Sequence, residues 1–297
     1  MKGYRIGIDL GGTKTEAVLL DPGDEVLVRR RIHTPADEGY AGILESTRSL
    51  IAATIREVPA RGIVTVGIGI PGTINQRTHL VQNANTTCLI GKAFQFDLEK
   101  ALGRPVGMEN DANCFVLAEA LKGAANGYEV VFGVIMGTGC GGGICIQGRV
   151  RSGGHGIAGE WGHFAVDPLG EACYCGNRGC VETKISGKGV ETRFRNLFGT
   201  SLTMRQIVGG YRRGDRHCRD VFQQFLDDFG RCLGGLISIL DPDVVVLGGG
   251  LSQIDELYTL GRQAVRRYAF HEDLQTPIVK NRLGDSAGVF GAAWIGR

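Results

Sequence analysis

Three cysteines lie close together at Cys173, Cys175 and Cys180, and His163 precedes the first of them by ten residues. Three thiolates and one imidazole form a ligand set that is typical of a closed tetrahedral Zn²⁺ site. A disulfide and a redox-active C-x-C pair are the alternatives for such a cluster. The type and number of ligands favour zinc, and four protein ligands leave no open position for catalysis. The sequence therefore predicts a structural zinc ion.

A glycine turn near the start of the chain, D-L-G-G-T-K at 9–14, carries a second set of polar groups. It is neither a P-loop nor a dinucleotide-binding turn, because both have other spacings. Adjacent glycines permit a tight turn that presents backbone N–H groups to an anion, and a carboxylate such as Asp9 can hold Mg²⁺. An ordinary hairpin is the alternative, but Thr13 and Lys14 favour phosphate binding. The candidate residues are Asp9, Leu10, Gly11, Gly12, Thr13 and Lys14.

Glycine recurs in two further runs, each after an apolar segment. Five glycines fall within residues 137–143, a density that costs too much conformational entropy for a plain hairpin but suits a backbone approaching phosphate. The run at 248–250 follows a predicted buried strand, at the end where ligands bind in open α/β sheets. Close packing of strand and helix is its alternative. The candidate residues are Thr138, Gly139, Cys140, Gly141, Gly142, Gly143, Gly248, Gly249 and Gly250.

A carboxylate flanked by amides begins a predicted helix at Asp111. This aspartate is either the N-cap of the helix or a general base that takes a proton from an attacking hydroxyl. Amide side chains donate and accept hydrogen bonds, so Asn110 and Asn113 suit a polyhydroxyl ligand, and Asn83 and Asn85 offer a second pair. Three further polar groups flank the cysteine cluster, and zinc would hold their irregular segments in place; they are Glu160, His163 and Glu182.

The elements that must position these groups alternate between strands and helices. Apolar runs predict strands at 4–9, 15–20, 26–32, 64–70, 106–109, 130–136, 144–148, 243–247 and 277–280. Helical spacing predicts helices at 39–58, 97–102, 111–121, 186–197, 203–213, 216–240 and 252–268, and a last helix after residue 285. Both halves begin with strand, glycine turn and strand, which indicates a weak internal duplication. The alternation indicates an α/β architecture.

Charge and hydropathy exclude several classes of protein. A net charge of +2 over 297 residues gives no support for nucleic acid or an anionic membrane as a partner. The longest uncharged run, 130–148, contains seven glycines and fits a buried strand-turn-strand better than a membrane span. Charged residues interrupt the first apolar stretch, so no secretory signal is predicted and a cytoplasmic protein is expected. Nine cysteines without an export signal further disfavour disulfides.

Seven motifs together resemble the ROK family of bacterial sugar kinases. They are D-L-G-G-T-K at 9–14, G-I-P-G at 69–72, N-D-A-N at 110–113, G-T-G-C-G-G-G at 137–143, G-E-W-G-H at 159–163, C-Y-C-G-N-R-G-C-V-E at 173–182 and L-G-G-G at 247–250. The resemblance covers nearly the whole chain. It implies an actin-like (RNase H-like) two-lobed fold with a small zinc knuckle. Residues 1–120 would form the smaller lobe, with the final helix at 284–297 packing back on it, and 121–283 the larger lobe.

The same resemblance implies roles for individual residues. ATP with Mg²⁺ would bind at the glycine turns, and Asp111 would be the catalytic base. Sugar contacts are implied for Gly72, Asn85, Asn110, Asp111, Glu160, His163 and Glu182. The structural zinc is implied to bind His163, Cys173, Cys175 and Cys180.

Within the family, N-A-N-T-T at 83–87, the cysteine motif and the stretch 241–252 look most like the fructokinase (mannokinase-like) group. Phosphorylation of the 6-hydroxyl of fructose is therefore the first expectation, and N-acetylglucosamine kinase or glucokinase the alternative. A sugar-responsive regulator without kinase activity is an alternative of another class, disfavoured because the first strand begins by residue 4. The expected partner is a small-molecule sugar, with no nucleic acid and no membrane. Dimers are common in the family, so a homodimer remains an open alternative.

Overall fold

The computed structural model describes residues 3–59 and 62–296, and the chain divides into two compact units. The first unit comprises Met1–Lys122, Gly143–Ala158 and Leu283–Arg297. The second unit comprises Gly123–Gly142 and Gly159–Arg282. The D-L-G-G-T-K turn and the helix that begins at Asp111 belong to the first unit, whereas the cysteine cluster belongs to the second.

Strands and helices alternate along the described residues. The strands are β1 (Tyr4–Leu10), β2 (Lys14–Leu20), β3 (Val26–His33), β4 (Val64–Ile70), β5 (Thr73–Ile74), β6 (Val81–Gln82), β7 (Gly107–Asn110), β8 (Val130–Met136), β9 (Cys140–Ile146), β10 (Arg149–Val150), β11 (Val244–Gly248) and β12 (Ile278–Lys280). The α-helices are α1 (Gly39–Ile55), α2 (Phe94–Leu102), α3 (Asp111–Lys122), α4 (Val181–Ile185), α5 (Gly187–Phe198), α6 (Met204–Arg212), α7 (Arg216–Leu240), α8 (Leu260–Tyr268) and α9 (Ala287–Ile295).

Two five-stranded sheets organise the chain and share one strand order. The first has the order β3-β2-β1-β4-β7, and the second has the order β10-β9-β8-β11-β12. In the first, β1 is antiparallel to β2 and parallel to β4; in the second, β8 is parallel to β11. The repeated order supports the internal duplication that the sequence indicates. It also confirms the predicted α/β class and the actin-like topology.

The two faces of the first sheet are covered by different helices. Successive side chains of a strand point to opposite faces, so both faces of this sheet carry apolar residues. Ile6, Ile8 and Leu10 of β1 point to one face and join the apolar core formed with α1 and α2. Val18 and Leu20 of β2 point to the opposite face, where α9 packs. This sheet therefore has no solvent-exposed face at its centre.

A row of glycines lets α9 lie directly on the sheet. Gly7, Gly67 and Gly107 are neighbours in register across β1, β4 and β7. A Cβ added at these positions would lie 2.0, 1.9 and 2.2 Å from backbone oxygens of α9, at Val289, Ala292 and Ile295 respectively. Because no side chain fits in this space, the glycines set the distance between the helix and the sheet.

Helix α7 is the longest element of the second unit and carries its apolar core. Its first turn is capped by Asp215, whose Oδ1 accepts a hydrogen bond from Cys218 N at 2.8 Å. Phe222, Phe225 and Phe229 are fully buried at the spacing of one helix face. Helix α8 packs on α7. Among the described residues, no helix is both long and apolar enough to cross a membrane.

Two predicted elements differ from the observed ones. The helix predicted at 252–268 is two 3₁₀ turns followed by α8, because Ile254 is extended and Thr259 departs from helical geometry with φ −116° and ψ −83°. The predicted turn at 137–143 is shorter than expected, because β9 already begins at Cys140. The short β5–β6 hairpin and α4 were not predicted, since two-residue strands and a five-residue helix carry too little periodicity.

Candidate active site

The D-L-G-G-T-K turn of the first unit is tight and exposed. Gly11 N donates to Lys14 O at 3.0 Å, which closes the turn between β1 and β2. Thr34 supports it from the neighbouring chain segment, since its Oγ1 donates to Gly11 O at 2.8 Å. Gly12, Thr13 and Lys14 are exposed, whereas the Leu10 side chain is buried in the core. The turn thus offers backbone donors and the Lys14 charge to an anion, and Leu10 offers only its backbone.

Asp9 lies at the end of β1, immediately before this turn. Burial, followed by the nearby Asp111 and Glu16 carboxylates, raises the pKa of Asp9 to about 7, although Lys14 and Arg31 work in the opposite direction. A Cβ on Gly288 of α9 would lie 3.1 Å from Asp9 Oδ2, and one on Gly69 of β4 would lie 3.8 Å from Asp9 Oδ1. Burial and neighbouring negative charge disfavour the ionised form of Asp9, and a bound divalent cation would compensate for both.

Asn110, rather than Asp111, caps helix α3. Asn110 Oδ1 accepts hydrogen bonds from Ala112 N at 2.9 Å and from Asn113 N at 3.4 Å. Its Nδ2 donates to Gly72 O at 3.2 Å, so both ends of this buried amide already have protein partners. Asp111 Oδ1 accepts from Ala112 N at 2.8 Å. The capping interpretation of Asp111 is therefore weakened, because Asn110 fills that position.

The segment after β4 brings two more of the predicted sugar contacts together. Asn85 N donates to Pro71 O at 3.0 Å, and a Cβ on Gly72 would lie 2.8 Å from the Cβ of Ala84. Gly72 and Asn85 are therefore neighbours, and the Asn85 side chain is exposed. Since Asn110 donates to Gly72 O, the start of α3 adjoins the same segment.

In the second unit, Glu182 contacts the second glycine turn. Glu182 Oε2 accepts a hydrogen bond from Cys140 N at 3.0 Å, and a Cβ on Gly139 would lie 2.6 Å from the same oxygen. The start of α5 joins this turn as well, because Gly187 N donates to Gly137 O at 2.8 Å. Gly139 and Cys140 are thus held close to a carboxylate of α4, a contact that the sequence pattern did not reveal.

Packing accounts for part of the glycine density in the two later runs. A Cβ on Gly142 would lie 2.6 Å from Trp161 Cδ1, and one on Gly143 would lie 2.6 Å from Ala112 O. Gly249 has φ +76°, and a Cβ there would lie 2.4 Å from Met136 O. Close packing therefore explains these three glycines without a ligand. The conformational entropy cost of glycine indicates phosphate binding most clearly at Gly137 and Gly250, beside which a Cβ would meet nothing within 4 Å.

A short 3₁₀ helix at Trp161–His163 positions the polar groups before the cysteine cluster. Trp161 Nε1 donates to Gly141 O at 3.2 Å, and its ring packs edge-on against Phe132 with centroids 5.4 Å apart. This anchors Glu160 next to the second turn. Burial, with a contribution from the Glu182 carboxylate, raises the pKa of Glu160. The second unit therefore brings Glu160 and Glu182 together, as two carboxylates in one neighbourhood.

The four predicted zinc ligands converge. The ligand atoms of His163, Cys173, Cys175 and Cys180 all lie within 4.8 Å of one another. Cys175 Sγ and Cys180 Sγ are 3.6 Å apart, far beyond the roughly 2.05 Å of a disulfide but near the roughly 3.8 Å expected for two thiolates on tetrahedral Zn²⁺. His163 Nδ1 lies 3.6 Å from Cys173 Sγ, and Nε2 lies 3.0 Å from Tyr174 Oη. The donor set and its geometry fit zinc.

Two buried hydroxyls of the first unit were not singled out in the sequence. Thr73 Oγ1 and Thr86 Oγ1 are buried and have no hydrogen-bond partner among residues 3–59 and 62–296. Thr86 Oγ1 would lie 3.7 Å from a Cβ on Gly12, which places it beside the exposed turn. A single threonine has no distinctive spacing, so only the three-dimensional structure identifies these positions.

Comparison with known proteins gives consistent relatives over the full length. The family model described as "ROK family" matches residues 5–297. The chain is 36% identical over 299 aligned residues to the N-acetyl-D-glucosamine kinase of Yersinia enterocolitica, covering 97% of this chain and 98% of the relative. The ROK hexokinase from Thermus thermophilus superimposes with a TM-score of 0.88 at 34% identity, covering 99% and 97%. A ROK family glucokinase from Streptomyces griseus, solved with glucose and AMPPNP, has a TM-score of 0.80 at 29% identity, covering 99% of each chain.

Proposed function

The chain belongs to the ROK family, and we propose that this sugar kinase transfers a phosphoryl group from ATP to the 6-hydroxyl of N-acetylglucosamine. The observation that carries the choice of sugar is the 36% identity to an N-acetyl-D-glucosamine kinase over 97% of this chain and 98% of that relative. Fructose, the first expectation from the sequence, has no comparable support, because none of the relatives described above is named a fructokinase.

Asp111 is the proposed general base. It stands at the first residue of α3, next to an amide that already caps the helix, so its carboxylate is not needed for capping. It would take the proton of the sugar hydroxyl while that oxygen bonds to the γ-phosphorus and the bond to the leaving diphosphate breaks. Bound ATP with Mg²⁺ supplies the phosphoryl group and neutralises charge on it.

The exposed turn at Gly12, Thr13 and Lys14 is the proposed phosphate contact of the first unit. Backbone N–H groups and one positive side chain would stabilise negative charge as it develops on the transferred group. Asp9 is the proposed magnesium contact, directly or through water, because a cation would relieve the raised pKa of this carboxyl. In the second unit, the proposed nucleotide contacts are Thr138 and Gly139 of the turn and the exposed Gly250, whereas Cys140 N already donates to Glu182.

Sugar hydroxyls are the proposed partners of Glu160, His163 and Glu182 in the second unit, and of Asn85 and the Gly72 backbone in the first. Carboxylates accept hydrogen bonds from hydroxyl groups, and the two glutamates lie near each other. Asn110 Oδ1 accepts from two backbone N–H groups and Nδ2 uses one of its two N–H groups on Gly72 O, so Asn110 has less free hydrogen-bonding capacity than the exposed Asn85.

Zinc is the proposed occupant of the cysteine cluster, held by His163, Cys173, Cys175 and Cys180. With four protein ligands the ion has no open position, so its proposed role is to fix the segment between the 3₁₀ helix and α4. His163 would bind the metal through Nδ1, the nitrogen nearest Cys173, and leave Nε2 for a hydrogen bond.

The proposed chemistry is tested by comparing Asp111→Asn with the wild type in an assay of ADP release coupled to N-acetylglucosamine. We expect the kcat of the variant to fall by at least about 100-fold, since a general base contributes about 10²–10⁴ to the rate. Asp37→Asn removes an exposed carboxylate of the same unit and serves as the matched control. Near-normal turnover in Asp111→Asn, in protein with wild-type unfolding behaviour, would refute the assignment.

A further inference from the structure

A polar cavity lies in the second unit, on the side of α4 that does not face the second glycine turn. Its volume is about 420 Å³, and its walls include Lys184 of α4, Arg193 of α5 and Arg231 of α7. Ligand cavities in proteins commonly span about 300–1,000 Å³, so a small molecule fits. A second cavity of about 280 Å³ adjoins it and shares Lys184 and Arg193.

The charges in the cavity are only partly neutralised. Lys184 Nζ pairs with Asp167 at 2.6 Å, and Arg193 pairs with Asp228, whose other oxygen accepts from Gln224 Nε2 at 3.1 Å. The lining holds three cations and two carboxylates. The third cation, Arg231, pairs with Asp227, which lies outside the lining, at the longer distance of 3.5 Å. The walls therefore carry one positive charge more than negative charge.

One donor in this wall lacks an acceptor. Arg193 Nη1 is buried and has no hydrogen-bond partner in the described part of the chain. A buried guanidinium N–H without an acceptor is costly, and native structures normally provide one from protein, water or a ligand. Arg193 lines the cavity together with Lys184 and Arg231, so an oxyanion there would meet cations from three helices.

We propose that this cavity binds the phosphate group of a small molecule. Donors from three helices suit the three oxygens of a phosphate better than the two coplanar oxygens of a carboxylate. Arginine forks and a lysine point charge are the side chains that recognise phosphate most often. Orthophosphate and a phosphate monoester share this chemistry, and a titration with each distinguishes them.

A molecule bound in the cavity would affect the active site through α4. Glu182 and Lys184 are two residues apart on this helix and point to different sides, Glu182 to Cys140 N and Lys184 to the cavity. A phosphate that competes with Asp167 for Lys184 loosens the hold of α4 on the segment before the cysteine cluster. Resting on the proposed function, which assigns Glu182 to the sugar, this predicts a KM for sugar that rises at least about twofold when phosphate is bound.

The test is calorimetric titration of the full chain with orthophosphate, glycerol 3-phosphate and citrate, in the presence of saturating MgADP and N-acetylglucosamine. Arg231→Gln is compared with Arg267→Gln as its matched control. Both arginines are exposed, pair with Asp227 and stack on the Tyr268 ring, but only Arg231 lines the cavity. We expect Arg231→Gln to weaken phosphate binding about tenfold or more and Arg267→Gln to stay within about twofold of wild type.

Equal affinity in both variants, binding of citrate alone, or no heat with any phosphate at 20 mM would overturn the proposal. Lys184→Gln on α4 provides a second variant in the lining, and it too must weaken binding. If MgADP itself produces no binding heat, the proposed kinase function fails, yet the contrast between Arg231→Gln and Arg267→Gln still decides whether the cavity binds phosphate. An unchanged KM at saturating phosphate would remove the coupling through α4.

Discussion

At the scale of single residues, ionisation of the Asp9 carboxyl opposes folding. Its pKa is raised from 3.8 to about 7, so the folded protein favours the neutral carboxyl. The stability associated with this group is complete below the unfolded pKa and is lost as the pH rises through about 7. The Asp9→Asn side chain cannot ionise, so the variant does not lose this stability as the pH rises. In metal-free buffer, the variant should therefore gain stability over the wild type between pH 5 and pH 8, by at most about 4 kcal/mol, measured by urea unfolding.

Asp24 offers a control with the opposite sign. Although burial works against it, hydrogen bonds from Trp294 and Lys122 and the charge of Arg5 lower the pKa of Asp24. Its contribution is present at high pH and lost as the pH falls, so Asp24→Asn should be less stable than the wild type at pH 8. A stability difference between Asp9→Asn and the wild type that does not change with pH would contradict the account of Asp9.

At the scale of elements, the contact between α9 and the first sheet depends on glycine. Gly67→Ala would place a Cβ 1.9 Å from Ala292 O, a backbone atom that cannot move without shifting the helix. We expect the substitution to lower the free energy of unfolding by about 3 kcal/mol or more, as overpacking does. Gly235→Ala on α7 is the control, because it meets nothing within 4 Å and should be neutral or stabilising by up to about 1 kcal/mol. A loss below about 0.5 kcal/mol for Gly67→Ala in urea unfolding would be inconsistent with this packing.

The cysteine cluster is the second element whose stability can be tested. Purified protein should contain about one zinc per chain, and Cys180→Ser should lose it together with thermal stability, since structural zinc contributes strongly to folding. Cys88→Ser, outside the cluster, should keep the metal. Full zinc content in Cys180→Ser, measured by atomic absorption, would show that the four residues do not form the site.

Most elements could be predicted from the sequence because their periodicity is strong. The strands β1, β4 and β8 and the helix α7 fall within about one residue of their predicted bounds. The break in the 252–268 segment was not predicted, because its apolar residues keep a helical spacing although hydrogen bonds from Ser252 to Gly249 O and from Tyr258 to Ser252 O stabilise 3₁₀ turns. The row of glycines that packs against α9 could not be predicted either, since its members lie on three strands far apart in sequence.

At the scale of the whole molecule, the sequence motifs identified the family but not the substrate. The convergence of His163 with three cysteines followed from ligand types and spacing, and the geometry agrees with that prediction. The contact of Glu182 with Cys140 N and the capping of α3 by Asn110 depend on tertiary neighbours, so they required coordinates. The preference among hexoses depends on a few hydrogen bonds around the sugar, and general similarity to fructokinases did not determine them.

The most direct test of the central claim is the ratio of kcat/KM among N-acetylglucosamine, N-acetylmannosamine, glucose, mannose and fructose, measured by coupled ADP release with the phosphorylated position established by ³¹P NMR. We expect N-acetylglucosamine to exceed every other sugar by at least about tenfold, because a site built to hydrogen-bond one substituent rejects sugars that lack it. Phosphate should appear on the 6-hydroxyl. A higher kcat/KM for fructose, or no sugar-dependent ADP release with any of the five, would contradict the account.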